Sequence, residues 1–140
     1  MHMSFRYRDQ TFRIGDVRIR LRTPRDLEQF IDQTEISNEA LPLFGIVWDS
    51  SEILSELLLK YDVTGKRILE IGCGMALVSH LLNMLGADIT AMDIHPATAE
   101  YLANNTLLNN VRSIPFVNAS WSDDSPELKG FDLIVGSEVL

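Results

Sequence analysis

Two strand-like apolar runs of this sequence each end in an acidic residue, and closely spaced glycines follow the first acid. Glu70, Gly72 and Gly74 close the first run, and Asp93 closes the second. Asp93 lies 21 residues after Gly72 (93 − 72) and 19 residues after Gly74 (93 − 74). Glycines let backbone N–H groups approach a ligand, and a carboxylate about 20 residues further on can accept both hydroxyls of a ribose. The spacing therefore predicts a site for a cofactor that contains a nucleoside.

Two kinds of nucleoside cofactor fit this spacing, and two residues distinguish them. A dinucleotide site uses a third glycine for close packing of helix on strand, and Leu77 stands at that position. Glu70 would lie unfavourably beside an anionic pyrophosphate, but it suits the ammonium and sulfonium groups of S-adenosylmethionine. The charges favour S-adenosylmethionine, and NAD-dependent oxidoreduction is the weaker alternative.

The segment Glu70-Ile-Gly72-Cys-Gly74-Met-Ala76 resembles motif I of the class I S-adenosylmethionine-dependent methyltransferases, with Ala76 in place of the last glycine. Asp93 matches the ribose-binding acid of motif II, and residues 131–140 are similar to motif IV. Residues 45–51 and Trp121 resemble the methyltransferase-16 group, which contains many protein N-methyltransferases. The resemblance implies S-adenosylmethionine-dependent N-methylation of a protein side chain or a small-molecule amine.

The resemblance also implies roles for single residues. Glu138, at the tip of the fourth strand, would be catalytic by holding an acceptor amine in line with the methyl group. The residues implied to contact the cofactor are Trp48, Glu70, Gly72, Cys73, Gly74, Asp93, Ile94, Ser120, Trp121 and Ser137. Ser120 stands nearest the place of an adenine-binding acid that is missing here. Other interpretations stay open: Trp48 and Ile94 as core residues, Trp121 as a surface aromatic, Asp93 as a helix cap, and Glu138 as a solvent-facing carboxylate.

The first part of the chain is expected to contain a hairpin and two helices. Alternation from Phe5 to Leu21, interrupted at Gly15-Asp16, predicts a β-hairpin. Thr23-Pro24-Arg25-Asp26 predicts the start of a short helix through Ile31, and the polar residues 33–42 predict a loop. Ser50 or Ser51 is expected to cap a second helix, whose apolar residues at helical spacing are Ile53, Leu54, Leu57, Leu58 and Tyr61.

From residue 66 onward, short apolar strands alternate with helices. Strands are predicted at 66–71, 87–92, 114–119 and 131–137, and helices at 76–85 and 96–109. This order predicts an α/β fold: a Rossmann-like parallel sheet with helices on both faces, a central first strand and the cofactor at the carboxyl ends of the strands. We expect one domain over residues 1–140, with the hairpin and helices in 1–65 and the Rossmann-like part in 66–140.

Charge is distributed unevenly along the chain, whose net charge is −8. Residues 1–25 hold seven arginines and two aspartates, or +5, which leaves −13 for the remainder (−8 − 5). The acidic remainder disfavours nucleic acid as a partner, and the alternating arginines predict the solvent face of a strand pair. The alternative is a patch for an acidic partner.

No apolar run predicts a membrane span or a signal peptide, and a single cysteine excludes an internal disulfide. Cys73 is expected to be a small filler residue beside the cofactor. Neither His80 nor His95 has a partner at metal-ligand spacing, so no metal is expected. A cytoplasmic location is expected by default.

The sequence ends at Leu140, inside the motif of the fourth strand, whereas class I methyltransferases have seven strands. We expect the 140 residues to be the N-terminal part of a longer enzyme, truncated after the fourth strand. A non-catalytic cofactor-binding module is the alternative. The edge of that strand, with Leu133, Val135 and Val139 at alternating positions, is predicted to form a homodimer or to aggregate.

Overall fold

The computed structural model describes residues 6–25, 43–120 and 122–137. Within these residues, the chain forms a two-stranded antiparallel hairpin, a four-stranded parallel sheet and three helices. The hairpin strands are β1 (Tyr7–Ile14) and β2 (Val17–Pro24). The helices are α1 (Asp49–Leu59), α2 (Leu77–Met84) and α3 (Thr98–Leu108), and single 3-10 turns occur at Leu43–Gly45 and Pro126–Leu128. The sheet strands are β3 (Arg67–Glu70), β4 (Asp88–Asp93), β5 (Phe116–Asn118) and β6 (Leu133–Val135).

The parallel sheet has the strand order β5-β4-β3-β6, so β3 lies in its interior. Leu69 of β3 is in register with Thr90 of β4 on one side and with Ile134 of β6 on the other. Because the strands are parallel, the turns that follow β3 and β4 lie at the same end of the sheet, next to the carboxyl ends of the strands. The predicted Rossmann-like sheet with a central first strand is confirmed, as is the preceding hairpin with its two-residue turn at Gly15-Asp16.

The inner face of the hairpin packs on the helices. Ile14, Ile19 and Leu21 are at most 1% exposed and form one cluster with Leu77 and Leu81 of α2. Full burial of a side chain of this size stabilises a fold by about 1.5–3 kcal/mol. The hairpin is therefore an integral part of the domain rather than an appendage.

Two asparagines, Asn105 in α3 and Asn109 at its C-cap, attach the helix to β2. Asn105 accepts a hydrogen bond from the backbone N–H of Arg22 at 2.7 Å and donates one to the Arg22 carbonyl at 3.1 Å. Asn109 makes the same pair of bonds with the backbone of Arg20, at 2.9 and 2.7 Å. These four bonds satisfy backbone groups that a neighbouring strand would otherwise pair.

The predicted N-cap at Thr23 is wrong, because Thr23 and Pro24 both belong to β2 and are buried. The pattern of N-cap and proline is local, whereas pairing with β1 extends the strand through the same residues. The rest of the predicted helix, from residue 26 to Ile31, and the predicted loop 33–42 lie outside the described residues.

Helix α1 also differs from its prediction. It begins at Asp49 with Trp48 as N-cap residue, and no side chain caps it, so the predicted cap at Ser50 or Ser51 is wrong. Its apolar residues do not share one environment. Leu58 is buried and Leu54 packs on the core, whereas Ile53, Leu57 and Tyr61 are 61%, 62% and 54% exposed.

The three helices of the described segments are short. None of them is both long enough and apolar enough to cross a membrane.

Candidate cofactor site

The turn between β3 and α2 has three residues in left-handed conformation at alternate positions. The φ angles of Gly72, Gly74 and Ala76 are 56°, 53° and 60°. A Cβ atom on Gly74 would lie 3.1 Å from the carbonyl oxygen of Phe44, which is tighter than ordinary van der Waals contact. Gly74 is thus required both by its backbone conformation and by the close approach of another segment.

The carboxylate of Asp93 connects this turn to the turn after β4. One oxygen accepts a hydrogen bond from the Gly74 N–H at 2.9 Å, and the other accepts one from the His95 N–H at 2.9 Å. Asp93 is 9% exposed, and each carboxylate oxygen has a second lone pair that can accept a further bond. Helix α3 begins after Ala97 without a side-chain cap, so Asp93 does not cap it. The structure places the two glycines and the acid together, as their spacing predicts.

Glu70 lies beneath the glycine turn and is 2% exposed. One of its oxygens accepts hydrogen bonds from the N–H and the hydroxyl of Ser79 on α2, at 3.1 and 2.7 Å. Burial raises the pKa of Glu70 to about 7, and the negative charge of Asp93 adds to the effect, while the bonds from Ser79 oppose it. A cationic group bound nearby would favour the ionised form of this carboxyl.

Cys73 fills the space between the two acids. It is 7% exposed, and its N–H donates to the Met92 carbonyl at 2.9 Å. Burial, followed by the charges of Glu70 and Asp93, raises the pKa of its thiol. A thiol held in its neutral form is a poor nucleophile, which is consistent with the predicted filler role.

Phe44 and His95 cover the glycine turn, and the sequence patterns do not indicate either residue. Their rings stack with centroids 4.1 Å apart and an angle of 31° between the planes. The ring Nδ1 of His95 accepts a hydrogen bond from the Ala97 N–H at 3.1 Å. Burial lowers the pKa of His95, and the charge of Asp93 opposes that change. Their positions in the sequence could have indicated these two residues, since Phe44 directly precedes the Gly45–Ser51 segment and His95 lies two residues after Asp93.

Residues at the start of α1 reach the end of β6. The hydroxyl oxygens of Ser51 and Ser137 are 3.1 Å apart, within hydrogen-bonding distance. Trp48 is 39% exposed, and its carbonyl accepts from the Ser51 N–H at 2.9 Å. The bond between Ser51 and Ser137 thus joins the Trp48 segment to the strand that leads to Glu138, but Glu138 itself lies outside the described residues, as does Trp121.

A second group of predicted residues lies at the ends of β4 and β5. Ile94 is 54% exposed, so it is not a core residue. The side-chain amide of Asn118 donates to the carbonyls of Asp93 and Ile94, at 3.1 and 3.2 Å. Ser120 donates its N–H to a carboxylate oxygen of Asp123 at 2.9 Å. Ile94 and Ser120 thus follow the adjacent strands β4 and β5.

No group of three or more His, Cys, Asp or Glu residues within the described ranges could hold a metal ion. His80 is fully buried on α2, and burial lowers the pKa of its imidazole to about 4. Leu77, at the position of the third dinucleotide glycine, is 2% exposed and packs in the core.

The sheet is open and parallel, and the Asp93 carboxylate joins the glycine turn after β3 to the turn after β4. This arrangement defines the class of α/β proteins that bind nucleoside cofactors. The sequence profile of the lysine methyltransferase family matches residues 32–140. The chain therefore belongs to the lysine methyltransferase family. This membership confirms the predicted family resemblance and the predicted cofactor, S-adenosylmethionine.

Individual relatives agree with the family, and a solved structure has a similar fold. The protein N-lysine methyltransferase METTL21A of Danio rerio is 31% identical over 107 residues, which cover 71% of this chain and 49% of the relative. The histone-arginine methyltransferase METTL23 of Xenopus laevis is 29% identical over 100 residues, or 66% of this chain and 43% of the relative. The fold is similar to that of the T. thermophilus 16S rRNA methyltransferase RsmC in complex with AdoMet and guanosine, with a TM-score of 0.68 and 19% identity over 93% of this chain and 32% of that one. The chain spans half or less of the length of these proteins.

Proposed function

We propose that this chain binds S-adenosylmethionine at the glycine turn and that its protein transfers a methyl group to a nitrogen of a protein side chain. The bridging position of Asp93 is the observation that carries the proposal. The N–H groups of Gly74 and His95 hold its carboxylate in place, so the lone pairs that remain on the two oxygens have fixed directions and can accept further hydrogen bonds. A vicinal pair of ribose hydroxyls needs two such acceptors side by side.

The residues fit the cofactor in shape and in charge. Gly72 and Gly74 have positive φ angles that shape the turn, and Glu70 is a buried acid without a cationic partner among the described residues. Gly72, Cys73 and Gly74 would hold the cofactor along the turn, and Ile94, Ser120 and Trp121 would lie at its adenine end. Trp48 and Ser137 would lie at its methionine end.

When bound, S-adenosylmethionine supplies an electrophilic methyl group on its sulfonium. The task of this chain is then to hold the acceptor nitrogen in line, which accounts for most of the rate of a direct displacement. We assign that task to Glu138, whose carboxylate would accept a hydrogen bond from the acceptor amine. The bond between Ser51 and Ser137 would fix the strand end that carries it.

Relatives support a protein acceptor, because the names of METTL21A and METTL23 describe a protein N-lysine and a histone-arginine methyltransferase. A cytoplasmic location is part of the same proposal, since the chain has a single, buried cysteine and no disulfide framework.

Cofactor binding is tested by calorimetric titration with S-adenosylhomocysteine. Asp93→Asn should raise the dissociation constant about 10- to 100-fold, because hydrogen bonds to a charged acceptor contribute roughly 1.5–3 kcal/mol each. Asp88→Asn is the matched control, because Asp88 begins the strand that Asp93 ends, and its side chain is 64% exposed. Equal affinities of the two variants would remove Asp93 from the site, and millimolar or weaker binding by the folded parent would remove the proposal.

We also propose that the chain forms homodimers through the edge of β6. β6 pairs only with β3 among the described strands, and Ile134 on it is 58% exposed. Leu133 and Val135 pack on the core instead, so Ile134 is the apolar side chain that this edge presents. Light scattering should show a dimer for the parent and a monomer for Ile134→Lys. The control variant Leu107→Lys, which changes another exposed apolar residue, should remain dimeric. A stable monomer at high concentration would contradict the proposal.

A further inference from the structure

The outer face of the hairpin carries three arginines, Arg13, Arg18 and Arg20, which we call the arginine face. Arg18 and Arg20 alternate along β2 with the buried Ile19 and Leu21, so they point away from the core. Arg13 on β1 lies directly opposite Arg18 in the register of the hairpin. All three are exposed. They form one cationic surface.

Nothing in the described part of the chain neutralises this surface. The one cross-strand ion pair recorded on the outer face joins Arg22 to Asp9 at 3.0 Å, and no acid lies within ion-pair distance of Arg13, Arg18 or Arg20 among the described residues. Like charges directly opposite each other in an antiparallel pair are destabilising. The folding of the hairpin therefore does not explain why Arg13 faces Arg18.

The arginine face has a rigid base. Ile19, Leu21 and Thr23 on the opposite face of β2 are buried. Asn105 of α3 and Asn109 at its C-cap hold the backbone of Arg20 and Arg22 through four hydrogen bonds. A surface fixed in this way loses little backbone entropy when a ligand binds, so more of the interaction energy appears as affinity.

The spacing and the charge of the chain restrict the ligand. Arg18 and Arg20 are two residues apart on a strand, about 6.8 Å, which is also the spacing of alternate side chains in an extended peptide. The residues after position 25 carry −13, and they would repel a polyanion longer than the patch itself. A short acidic segment meets the arginines without extending over the acidic body.

The geometry points to the arginine face as a docking surface for an extended segment of the protein methyl acceptor, with acidic residues at alternate positions. The identity of the partner as the acceptor rests on the proposed function, whereas the binding of an acidic segment does not. Docking of this kind steers a substrate to the enzyme and depends on salt, because the groups are exposed.

The test uses fluorescence anisotropy with a labelled peptide of four alternating Glu-Thr pairs at about 50 mM salt, where screening is modest. The double variant Arg18→Glu/Arg20→Glu should raise the dissociation constant about tenfold or more, since each exposed ion pair contributes a few-fold in affinity. Arg8→Glu is the matched control, because Arg8 is exposed on β1 but opposite Thr23, on the other face of the hairpin. Arg18→Glu places a carboxylate opposite Arg13, so the double variant is expected to fold.

Binding of the Glu-Thr peptide that falls in the double variant and not in Arg8→Glu supports the docking surface. No binding, or an equal loss in both variants, overturns it. Tighter binding of a deoxythymidine oligonucleotide than of the peptide also overturns it and identifies a nucleic-acid surface. Titration of the same variants with S-adenosylhomocysteine separates the two proposals, because a failure of the cofactor site leaves the result with the peptide unchanged.

Discussion

At the carboxyl ends of β3 and β4, Glu70 and Asp93 are 2% and 9% exposed. Glu70 accepts two hydrogen bonds from Ser79 of α2, and Asp93 accepts two from the turns that follow the strands. At the amino end of β4, the side chain of Asp88 is 64% exposed, and its ion pair with Arg67 spans 3.8 Å. The two ends of the sheet thus hold acids of the same kind in opposite environments. Burial of the acidic side chains costs free energy at the carboxyl ends of these strands, whereas the exposed acid at the amino end of β4 has no such cost.

The glycines differ between the two ends in the same way. Gly65 before β3 and Gly86 before β4 have positive φ angles, and a Cβ atom on either would meet nothing within 4 Å. Gly74 has a similar φ angle, but Phe44 closes over it. A glycine is needed for conformation at one end, and for both conformation and space at the other. Crowded backbone and buried acids thus distinguish the carboxyl ends of these strands from their amino ends.

The largest change in stability is expected when a glycine at each end of the sheet is replaced by valine. Gly74→Val should lower the free energy of unfolding by about 2–5 kcal/mol, because backbone strain of about 1–2 kcal/mol adds to overpacking of about 1–3 kcal/mol. Gly65→Val has the strain without the contact and should lose about 1–2 kcal/mol. Urea denaturation measures both values, and equal losses would show that Phe44 moves aside without cost.

Glu70 provides a prediction on pH. Its pKa is raised from 4.5 to about 7, so its stabilising contribution is complete below pH 4.5 and is lost as the pH rises through 7. Glu70→Gln keeps the acceptor for Ser79 and removes the ionisation. The variant should match the parent near pH 4.5 and exceed its free energy of unfolding by about 3 kcal/mol at pH 8, because the pKa differs by about 2.5 (7 − 4.5) and each pKa unit corresponds to about 1.36 kcal/mol.

Glu56→Gln, which changes an exposed glutamate on α1, is the control and should follow the parent at every pH. A constant difference between Glu70→Gln and the parent from pH 4.5 to 8 would mean that Glu70 titrates normally. Calorimetry in buffers of different ionisation enthalpy adds a second measurement. S-adenosylhomocysteine, which carries an ammonium group, should release protons from the parent near pH 7 and fewer from the variant.

The smallest effect is expected at Ala76, the non-glycine residue of the turn. Its φ of 60° is strained for alanine, so Ala76→Gly relieves strain while it adds entropy to the unfolded chain and removes a buried methyl group. We expect a net change within about 1 kcal/mol of zero. Ala103→Gly, at an exposed helical position of α3, should cost about 1 kcal/mol. Thermal melting compares the two, and a larger loss at Ala76 than at Ala103 would contradict the strain.

The sequence predicted the parallel sheet well because its signals are local and periodic. Four apolar runs predict the strands, and a helical segment lies between the first and second runs and between the second and third. Because crossovers are right-handed, this order allows few topologies, and β3 is central as expected. From residue 66 onward, strand and helix ends shifted by one or two residues, as at Phe131 against Leu133 and Pro96 against Thr98. Local signals failed at Thr23, where pairing with β1 overrides a helix-start pattern.

The sequence by itself determined the class of cofactor, through two glycines and two acids at a spacing that β-strands and helices convert into proximity. The tertiary structure decided which residues support them. Phe44 covers Gly74, Ser79 holds Glu70, and Asn105 with Asn109 anchors β2. The contacts of Phe44 and of the two asparagines span 30 to 89 residues, and no periodic pattern encodes them (74 − 44; 109 − 20). They arise because packing of the hydrophobic core brings distant polar groups within hydrogen-bonding distance, where each must find a partner once water is excluded.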